Sequence, residues 1–145
     1  MANYLVIGAS SGIGQALASQ LAKTSHRVYG TYHKHSANSA SPNLTYHYLN
    51  VLDEHCLLDF LPDQLDGMIY CPGSINLRSF ERIKPADFML DYHLQVIGAI
   101  KTIQACLPKL KRGRNASITL FSTVAVQLGL PFHSQVSASK GAIEG

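Results

Sequence analysis

Three glycines within seven residues follow the first apolar run of the chain, residues 4–7. The glycine segment is GASSGIG, residues 8–14, and a helical pattern overlaps its end, because Ile13, Leu17 and Leu21 recur at four-residue spacing. Glycines permit a tight turn and let a backbone approach phosphates closely, and a helix N-terminus offers free N–H groups to an anion. The sequence therefore predicts a strand–loop–helix unit that binds the pyrophosphate of NAD or NADP, with an ordinary glycine-rich turn as the alternative. The candidate contacts are Gly8, Ser10, Ser11, Gly12, Ile13 and Gly14.

Apolar runs of strand type alternate with amphipathic stretches along the chain. Predicted strands cover residues 4–7, 27–32, 44–49, 67–70 and 117–121. Predicted helices begin near Ile13, cover residues 53–61, run from Pro85 to Gly113, and begin again near Ser134. This alternation is typical of a doubly wound parallel sheet. We therefore expect a Rossmann-like α/β fold, with five strands and flanking helices, in one domain over residues 1–145.

The long predicted helix carries two apolar stripes. The first consists of Val96, Ile100, Ile103, Leu107 and Leu110, and the second of Leu90, Leu94 and Ile97. One stripe is expected to pack on the sheet, which is what an amphipathic helix requires. The other would then be available to a partner subunit.

Composition indicates a globular domain and argues against several other classes. Hydrophobic residues make up 46% of the 145 residues, and no apolar run approaches the ~18 residues of a membrane helix. The N-terminus lacks the basic flank of a secretory signal, and three dispersed cysteines do not indicate disulfides, so a cytoplasmic protein is expected. The net charge is +3 without a long basic run, so neither nucleic acid nor membrane is an expected partner. His33 and His35 lack a nearby third ligand, so no metal site is expected.

The Gly-x-x-x-Gly-x-Gly spacing of the loop resembles that of the short-chain dehydrogenase/reductase family. The resemblance continues in order along the chain. The family's acidic–apolar pair after the third strand, near the adenine, corresponds to Asn50 and Val51 here. Its Asn-Asn-Ala-Gly segment after the fourth strand corresponds to residues 70–73, where only the glycine is kept. The resemblance adds Asn50, Val51, Cys71, Pro72 and Gly73 to the candidate cofactor contacts.

The family's active site rests on asparagine, serine, tyrosine and lysine. The text SASKGAIEG, residues 137–145, is close to the family's usual text and assigns the lysine to Lys140. Val136 then occupies the tyrosine position, four residues earlier. The serine position falls at Thr123, with Ser122 as its neighbour, and the asparagine position at Gln95. The resemblance thus implies an NAD(P)-dependent oxidoreductase acting on a small carbonyl or alcohol substrate, with a degraded acid/base site.

The loss of the tyrosine matters because that phenol moves the proton. Residues i and i+4 share a helix face, so the lysine can lower the phenol pKa and also hold the nicotinamide ribose. A valine has no transferable proton. His133 or water could supply one instead, although His133 also suits an exposed helix entrance. The alternative function is a non-catalytic NADP(H)-binding protein with a structural or sensing role.

The second predicted strand leads into a segment without acidic residues. NAD-preferring folds of this type place an acid there for the ribose 2′-hydroxyl, whereas residues 1–52 contain neither Asp nor Glu. Thr31, His33 and Lys34 are instead candidate contacts for a 2′-phosphate. NADP(H) is therefore favoured over NAD(H), with a solvated polar loop as the alternative.

The chain stops inside the helix that carries Lys140, only five residues beyond it. A helix end with no following strand is not typical of a domain boundary. We therefore expect a domain that is incomplete at its C-terminus. The resemblance also implies a homo-oligomer, a dimer or tetramer, formed through the long helix and the Lys140 helix.

Overall fold

One parallel sheet organises the molecule. The computed structural model describes residues 1–39 and 41–145, and within these residues the sheet has five strands in the order β3-β2-β1-β4-β5. Each neighbouring pair is parallel. The strands are β1 (Asn3–Ile7), β2 (Arg27–Tyr32), β3 (Leu44–Tyr48), β4 (Gly67–Tyr70) and β5 (Ser117–Leu120). The predicted doubly wound α/β fold is confirmed, and the strand order reverses beside β1, where such folds form a crevice.

Helices connect β1 to β2 and β4 to β5, and two more follow β5. They are α1 (Gly12–Ala22), α2 (Pro85–Tyr92), α3 (Gly98–Leu110), α4 (Ala125–Leu128) and α5 (Ser134–Glu144). A 3-10 turn (Phe80–Arg82) precedes α2, and a π-helical segment (His93–Ile97) joins α2 to α3. No helix in the described part of the chain is long and apolar enough to cross a membrane.

Small residues let α1 lie close to the sheet. Gly14, Ala18 and Ala22 are its buried positions, whereas Ile13 is 60% exposed. The buried alanines share a core cluster with Val6 of β1 and with residues of β2 and β3. The packing face is therefore the small-residue face, and the apolar Ile13 points instead towards the crevice, where it lines a cavity.

The short helix predicted over residues 53–61 is wrong, since this stretch forms only turns. Two features explain the difference. The Asn50 side chain bonds within its own turn, where its Oδ1 accepts the Leu52 N–H at 3.1 Å. Leu58 and Leu61 are each 6% exposed and belong to the core, so burial of these leucines determines the path of the chain.

The expectation that one whole stripe of the long helix packs on the sheet is partly wrong. Val96 and Leu110 are buried as expected, but Ile100 is 44% exposed and Leu107 is 39% exposed. The buried positions of α3 are Gly98, Ala99, Thr102, Cys106 and Leu110. Smaller side chains let this helix approach the sheet, and the larger ones remain on its outer side.

The π-helical segment coincides with a contact from β4. The Tyr70 hydroxyl donates a hydrogen bond of 2.6 Å to the Leu94 carbonyl oxygen, inside the segment. A Cβ at Gly98 would lie 2.4 Å from the same hydroxyl oxygen, so only glycine leaves room for it. The Tyr70 hydroxyl on the sheet thus donates to a helix carbonyl at the place where the regular helical hydrogen-bonding pattern changes.

Candidate active site

A cavity of about 450 Å³ opens where the first four strands end. Its walls are formed by the segments that follow β1, β2, β3 and β4, together with Leu94. All predicted cofactor contacts except Lys140 line it: Gly8, Ser10, Ser11, Gly12, Ile13, Gly14, Thr31, His33, Lys34, Asn50, Val51, Cys71, Pro72 and Gly73. Sequence reasoning did not assign six further lining residues to the cofactor: Ile7, Tyr32, His35, Leu49, Leu52 and Leu94. Five of these residues are sequence neighbours of predicted contacts. The sixth, Leu94, lies on the π-helical segment, whose position relative to the cavity the sequence alone did not give.

The glycine loop has a backbone that side chains would not permit. Gly8 and Gly12 have φ angles of +75° and +54°, in the region that favours glycine. A Cβ on Gly14 would lie 2.2 Å from the Gly8 carbonyl oxygen, so α1 could not start this close to β1. The loop thus presents the N-terminus of an eleven-residue helix at the cavity wall. This arrangement fits a pyrophosphate.

Thr31 holds the glycine loop from the neighbouring strand. Its side chain is 1% exposed, and its Oγ1 accepts the Gly8 N–H at 3.0 Å. Its carbonyl oxygen accepts the Ala9 N–H at 2.7 Å. Sequence reasoning assigned Thr31 only to the cofactor, but these bonds also give it a role in positioning the loop.

Basic and aromatic side chains surround the end of β2. His33, Lys34 and His35 are exposed and line the cavity, and the His33 ring lies 6.0 Å from that of Tyr48 between centroids. Among the described residues that line the cavity, none is acidic. The electrostatic character of this end therefore suits a negatively charged group.

The cavity floor comes from the residues after β3 and β4. Val51, after β3, is 6% exposed. A Cβ on Gly8 would lie 3.2 Å from the Pro72 nitrogen, so the glycine loop and the loop after β4 are in close contact. Burial raises the pKa of the Cys71 thiol to about 11, although Lys140 pulls it the other way. Cys71 is thus a neutral thiol at pH 7, and its sulfur is no ready nucleophile.

Lys140 lies on α5, which packs against α2, the π-helical segment and α4. The lysine is half-buried, and burial lowers the pKa of its ammonium group, while Asp91 and Cys71 oppose that shift. Val136, at the tyrosine position, is 7% exposed. Lys140 therefore shares its surroundings with Cys71, a cavity residue, while no transferable proton is available at position 136.

Thr123, at the family's serine position, and its neighbour Ser122 are both hydrogen-bonded within the protein. Thr123 Oγ1 accepts the Ala125 N–H at 3.3 Å, at the start of α4. The Ser122 hydroxyl donates to the Glu144 carboxylate near the end of α5. His133 immediately precedes α5, as the helix-entrance interpretation expects, and its Nδ1 lies 2.6 Å from the Pro131 carbonyl oxygen. Its Nε2 is the ring atom left for other partners.

Gln95 belongs to a largely buried polar cluster that sequence reasoning missed. Its Nε2 donates to both carboxylate oxygens of Asp91, at 2.9 and 2.8 Å. The same carboxylate accepts the hydroxyls of Ser74 at 2.8 Å and Ser139 at 2.6 Å. Asp91 and Gln95 are 2% and 1% exposed. We call Ser74, Asp91, Gln95 and Ser139 the Asp91 cluster.

The Asp91 cluster joins three parts of the site. Ser74 follows the Gly73 loop, Asp91 lies on α2, and Ser139 directly precedes Lys140 on α5. Within residues 1–39 and 41–145, Oε1 of Gln95 has no hydrogen-bond partner, and it would lie 3.3 Å from a Cβ on Gly73. The available signal was the four-residue spacing of Asp91 and Gln95, since such a pair shares a helix face.

A family model described as short chain dehydrogenase matches residues 49–145, which is more than half of the chain. The chain belongs to this family. The family consists of oxidoreductases that bind a nicotinamide cofactor, so the resemblance inferred from the sequence is confirmed. The glycine loop lies outside the matched residues, but the relatives below align with 97% of the chain.

Individual relatives are more distant. The chain is 27% identical over 152 residues to 3-ketodihydrosphingosine reductase of Bacteroides thetaiotaomicron, and the alignment covers 97% of the chain and 54% of that protein. It is 28% identical over 157 residues to retinol dehydrogenase 8 of Bos taurus, covering 97% and 50%. The chain thus spans about half the length of the curated relatives it matches.

Solved structures agree with the fold. A short chain dehydrogenase family protein of Francisella tularensis superposes with a TM-score of 0.86 at 28% identity, covering 99% of the chain and 60% of that protein. An NADPH-bound carbonyl reductase from chicken fatty liver has a TM-score of 0.87 at 21% identity, covering 99% and 67%. At that identity the second comparison supports the fold alone.

Proposed function

We propose that this chain forms the cofactor-binding part of an NADP(H)-dependent oxidoreductase that acts on a small carbonyl or alcohol substrate. The observation that carries the proposal is the cavity that joins the glycine loop to the basic end of β2. The loop N–H groups would bind the pyrophosphate, and Lys34 with His33 would bind the 2′-phosphate. The bound nicotinamide supplies the hydride chemistry.

The residues at the family's catalytic positions would divide the remaining tasks. Lys140 would hold the nicotinamide ribose, and Thr123 or Ser122 would orient the substrate carbonyl. Gln95 would help to position Lys140 through the Asp91 cluster, because Ser139, which bonds to Asp91, directly precedes Lys140 in the chain. The proton for the substrate oxygen would come from water or from Nε2 of His133, because Val136 has none to give.

The cofactor preference is tested by titrating the intact protein with NADPH and NADH, following nucleotide fluorescence. NADPH is expected to bind more tightly, and Lys34→Gln to raise its Kd roughly three- to tenfold without changing the Kd for NADH, because an exposed ion pair contributes about 1 kcal/mol. Lys23→Gln is the matched control, since Lys23 is exposed at the end of α1 and does not line the cavity. Equal affinity for both nucleotides in wild type and the Lys34 variant would refute the preference.

Turnover is a separate question. NADPH oxidation is followed with a panel of ketones and quinones, comparing wild type with Val136→Tyr. Turnover by wild type supports the enzyme. If wild type binds NADPH without turnover and only the variant gains it, the protein is the non-catalytic cofactor-binding alternative, which the buried Val136 favours.

A homo-oligomer is part of the proposal. The outer side of α2 and α3 exposes large apolar side chains, among them Leu90 at 62% and Ile100 at 44%. A second copy packing there would remove this apolar surface from water. Small-angle scattering of the intact protein is expected to give a dimer or tetramer mass, and a monomer mass would contradict the interface.

A further inference from the structure

A second concave surface lies outside the cofactor cavity. This groove has a volume of about 500 Å³ and is lined by Leu77, Arg78, Ser79, Arg82 and Phe132. It shares no lining residue with the cofactor cavity. One wall comes from the segment between β4 and α2, and the other from Phe132, between α4 and α5. The first of these segments begins where β4 ends, on the side of the sheet where ligands of parallel α/β folds bind.

Two part-buried hydrogen bonds through Gln135 fix the first wall to α5, the helix that follows Phe132. Nδ2 of Asn76 donates to Oε1 of Gln135 at 3.0 Å, joining the first wall to α5. Nε2 of Gln135 in turn donates to the Asp87 carbonyl oxygen at 2.8 Å, and Gln135 is only 6% exposed. The groove is therefore a fixed feature of the fold and not a chance gap between loops.

The groove is positively charged. Two guanidinium groups, of Arg78 and Arg82, line it, and among its described lining residues none is acidic. Glu81 is the acid between them in sequence, and it does not line the groove. Two guanidinium groups at one groove suit a carboxylate or a phosphate.

The backbone of Phe132, at the edge of the groove, adopts a conformation that aromatic residues rarely adopt. Phe132 has a φ of 65°, a backbone conformation that is rare for a bulky residue. The residue is 57% exposed. Leu77, on the opposite wall, is 55% exposed. Backbone strain of this kind persists where it serves a site, and exposed apolar groups beside cations form a surface for an amphiphilic ligand.

We propose that the groove binds the substrate, and that this substrate is an anion with an apolar body. Its carboxylate or phosphate would pair with Arg78 and Arg82, and its apolar part would lie against Leu77 and Phe132. Phe132 is one residue before His133 and two before the start of α5, so the groove adjoins the entrance of the helix that carries Lys140. This inference rests on the proposed oxidoreductase function, because only that function requires a substrate site here.

The test measures binding of three probes with the same ten-carbon chain to the intact protein by titration calorimetry. Decanoate and decyl phosphate carry the two candidate anions, and decanol carries none. At least one anion is expected to bind about tenfold or more tightly than decanol, a difference of about 1.4 kcal/mol. The stronger of the two anions identifies the headgroup. Equal binding of all three probes would overturn the proposal.

Variants then locate the binding. The double variant Arg78→Gln with Arg82→Gln is expected to remove the preference for the anion, whereas Arg27→Gln, an exposed arginine outside the groove, keeps it. Phe132→Gly relieves the strained φ, so it is expected to leave the unfolding midpoint unchanged or higher while weakening decanoate and decanol alike. An unchanged anion affinity in the double variant would refute the site.

NADPH titration of the same samples separates this proposal from the previous one. NADPH binding without a preference for either anion would overturn the substrate site alone. A preference for an anion without NADPH binding would support an anion site in the groove, but it would overturn the oxidoreductase function and with it the role of the groove as a substrate site.

Discussion

The contact between Tyr70 and Gly98 gives the sharpest test of how this site is built. In Gly98→Ala the new Cβ would lie 2.4 Å from the Tyr70 hydroxyl oxygen and 3.2 Å from Val51, so the phenol must leave its bond to the Leu94 carbonyl. Overpacking of this kind costs about 1–3 kcal/mol, and the better helix propensity of alanine offsets at most about 1 kcal/mol of that. Tyr70→Phe removes the hydroxyl and leaves a buried carbonyl unpaired, at a cost of about 1–3 kcal/mol.

The double variant is expected to be less destabilised than the sum of the two single variants. Once Tyr70→Phe has removed the hydroxyl, the Cβ at position 98 meets only the milder contact with Val51. We expect a coupling of about 1–2 kcal/mol, measured as the free energy of unfolding in urea for the four proteins. Gly141→Ala is the matched control, since its Cβ would lie 3.9 Å from Val126, and it is expected to be neutral or stabilising.

Leu94 lines the cofactor cavity, so the same variants report on binding. Both single variants are expected to weaken NADPH binding, while Gly141→Ala leaves the cavity wall intact. Additive free energies, within about 0.5 kcal/mol, would show that the Tyr70 hydroxyl and residue 98 do not compete for space, and the reasoning would fail.

Three further predictions concern the loop and the lysine. Gly14→Ala would place a methyl group 2.2 Å from the Gly8 carbonyl oxygen, so NADPH binding is expected to fall at least about tenfold by fluorescence titration. Thr31→Val keeps the shape but removes the acceptor for the Gly8 N–H, and the free energy of unfolding is expected to drop by about 1–2 kcal/mol. Burial lowers the pKa of Lys140, so the unfolded chain binds this proton more tightly and stability gains from Lys140 deprotonation as pH rises towards the ordinary lysine value of 10.5. Lys140→Met lacks that gain, so the urea midpoint of wild type is expected to rise relative to that of the variant from neutral pH to pH about 11. Parallel curves for the two proteins would contradict the lowered pKa of Lys140.

Most of the fold follows from local patterns. Strands such as β2 and β4 were predicted with their exact bounds, because apolar and β-branched runs bounded by turn residues leave little choice. The failures lie where long-range packing decides. Residues 53–61 carry leucines at helical spacing, yet Leu58 and Leu61 reach the core from turns. The change of hydrogen-bonding pattern at His93–Ile97 coincides with a hydrogen bond from Tyr70, which is distant in sequence.

Sequence reasoning missed the Asp91 cluster but brought together most of the residues that line the cavity at the glycine loop. The contacts of this cavity lie in loops that directly follow strands, and parallel strands bring their carboxyl ends to one edge. Asp91 was missed because no sequence pattern says that an acid on a helix will be buried. Its burial requires hydroxyls from Ser74 and Ser139, which come from two different elements and meet only in the folded chain.

The Asp91 cluster also constrains how this site can change over generations. The Asp91 carboxylate accepts hydrogen bonds from the other three side chains, so an apolar residue at position 91 removes their shared acceptor, and an apolar residue at any of the other positions leaves the buried carboxylate with fewer donors. Single steps towards an apolar interior therefore each pass through a destabilised protein, although the final all-apolar state could be as stable as the present one. We expect the four positions to be inherited as a unit: lineages that keep the acid should keep both serines and the amide, and lineages that lose it should have lost them together.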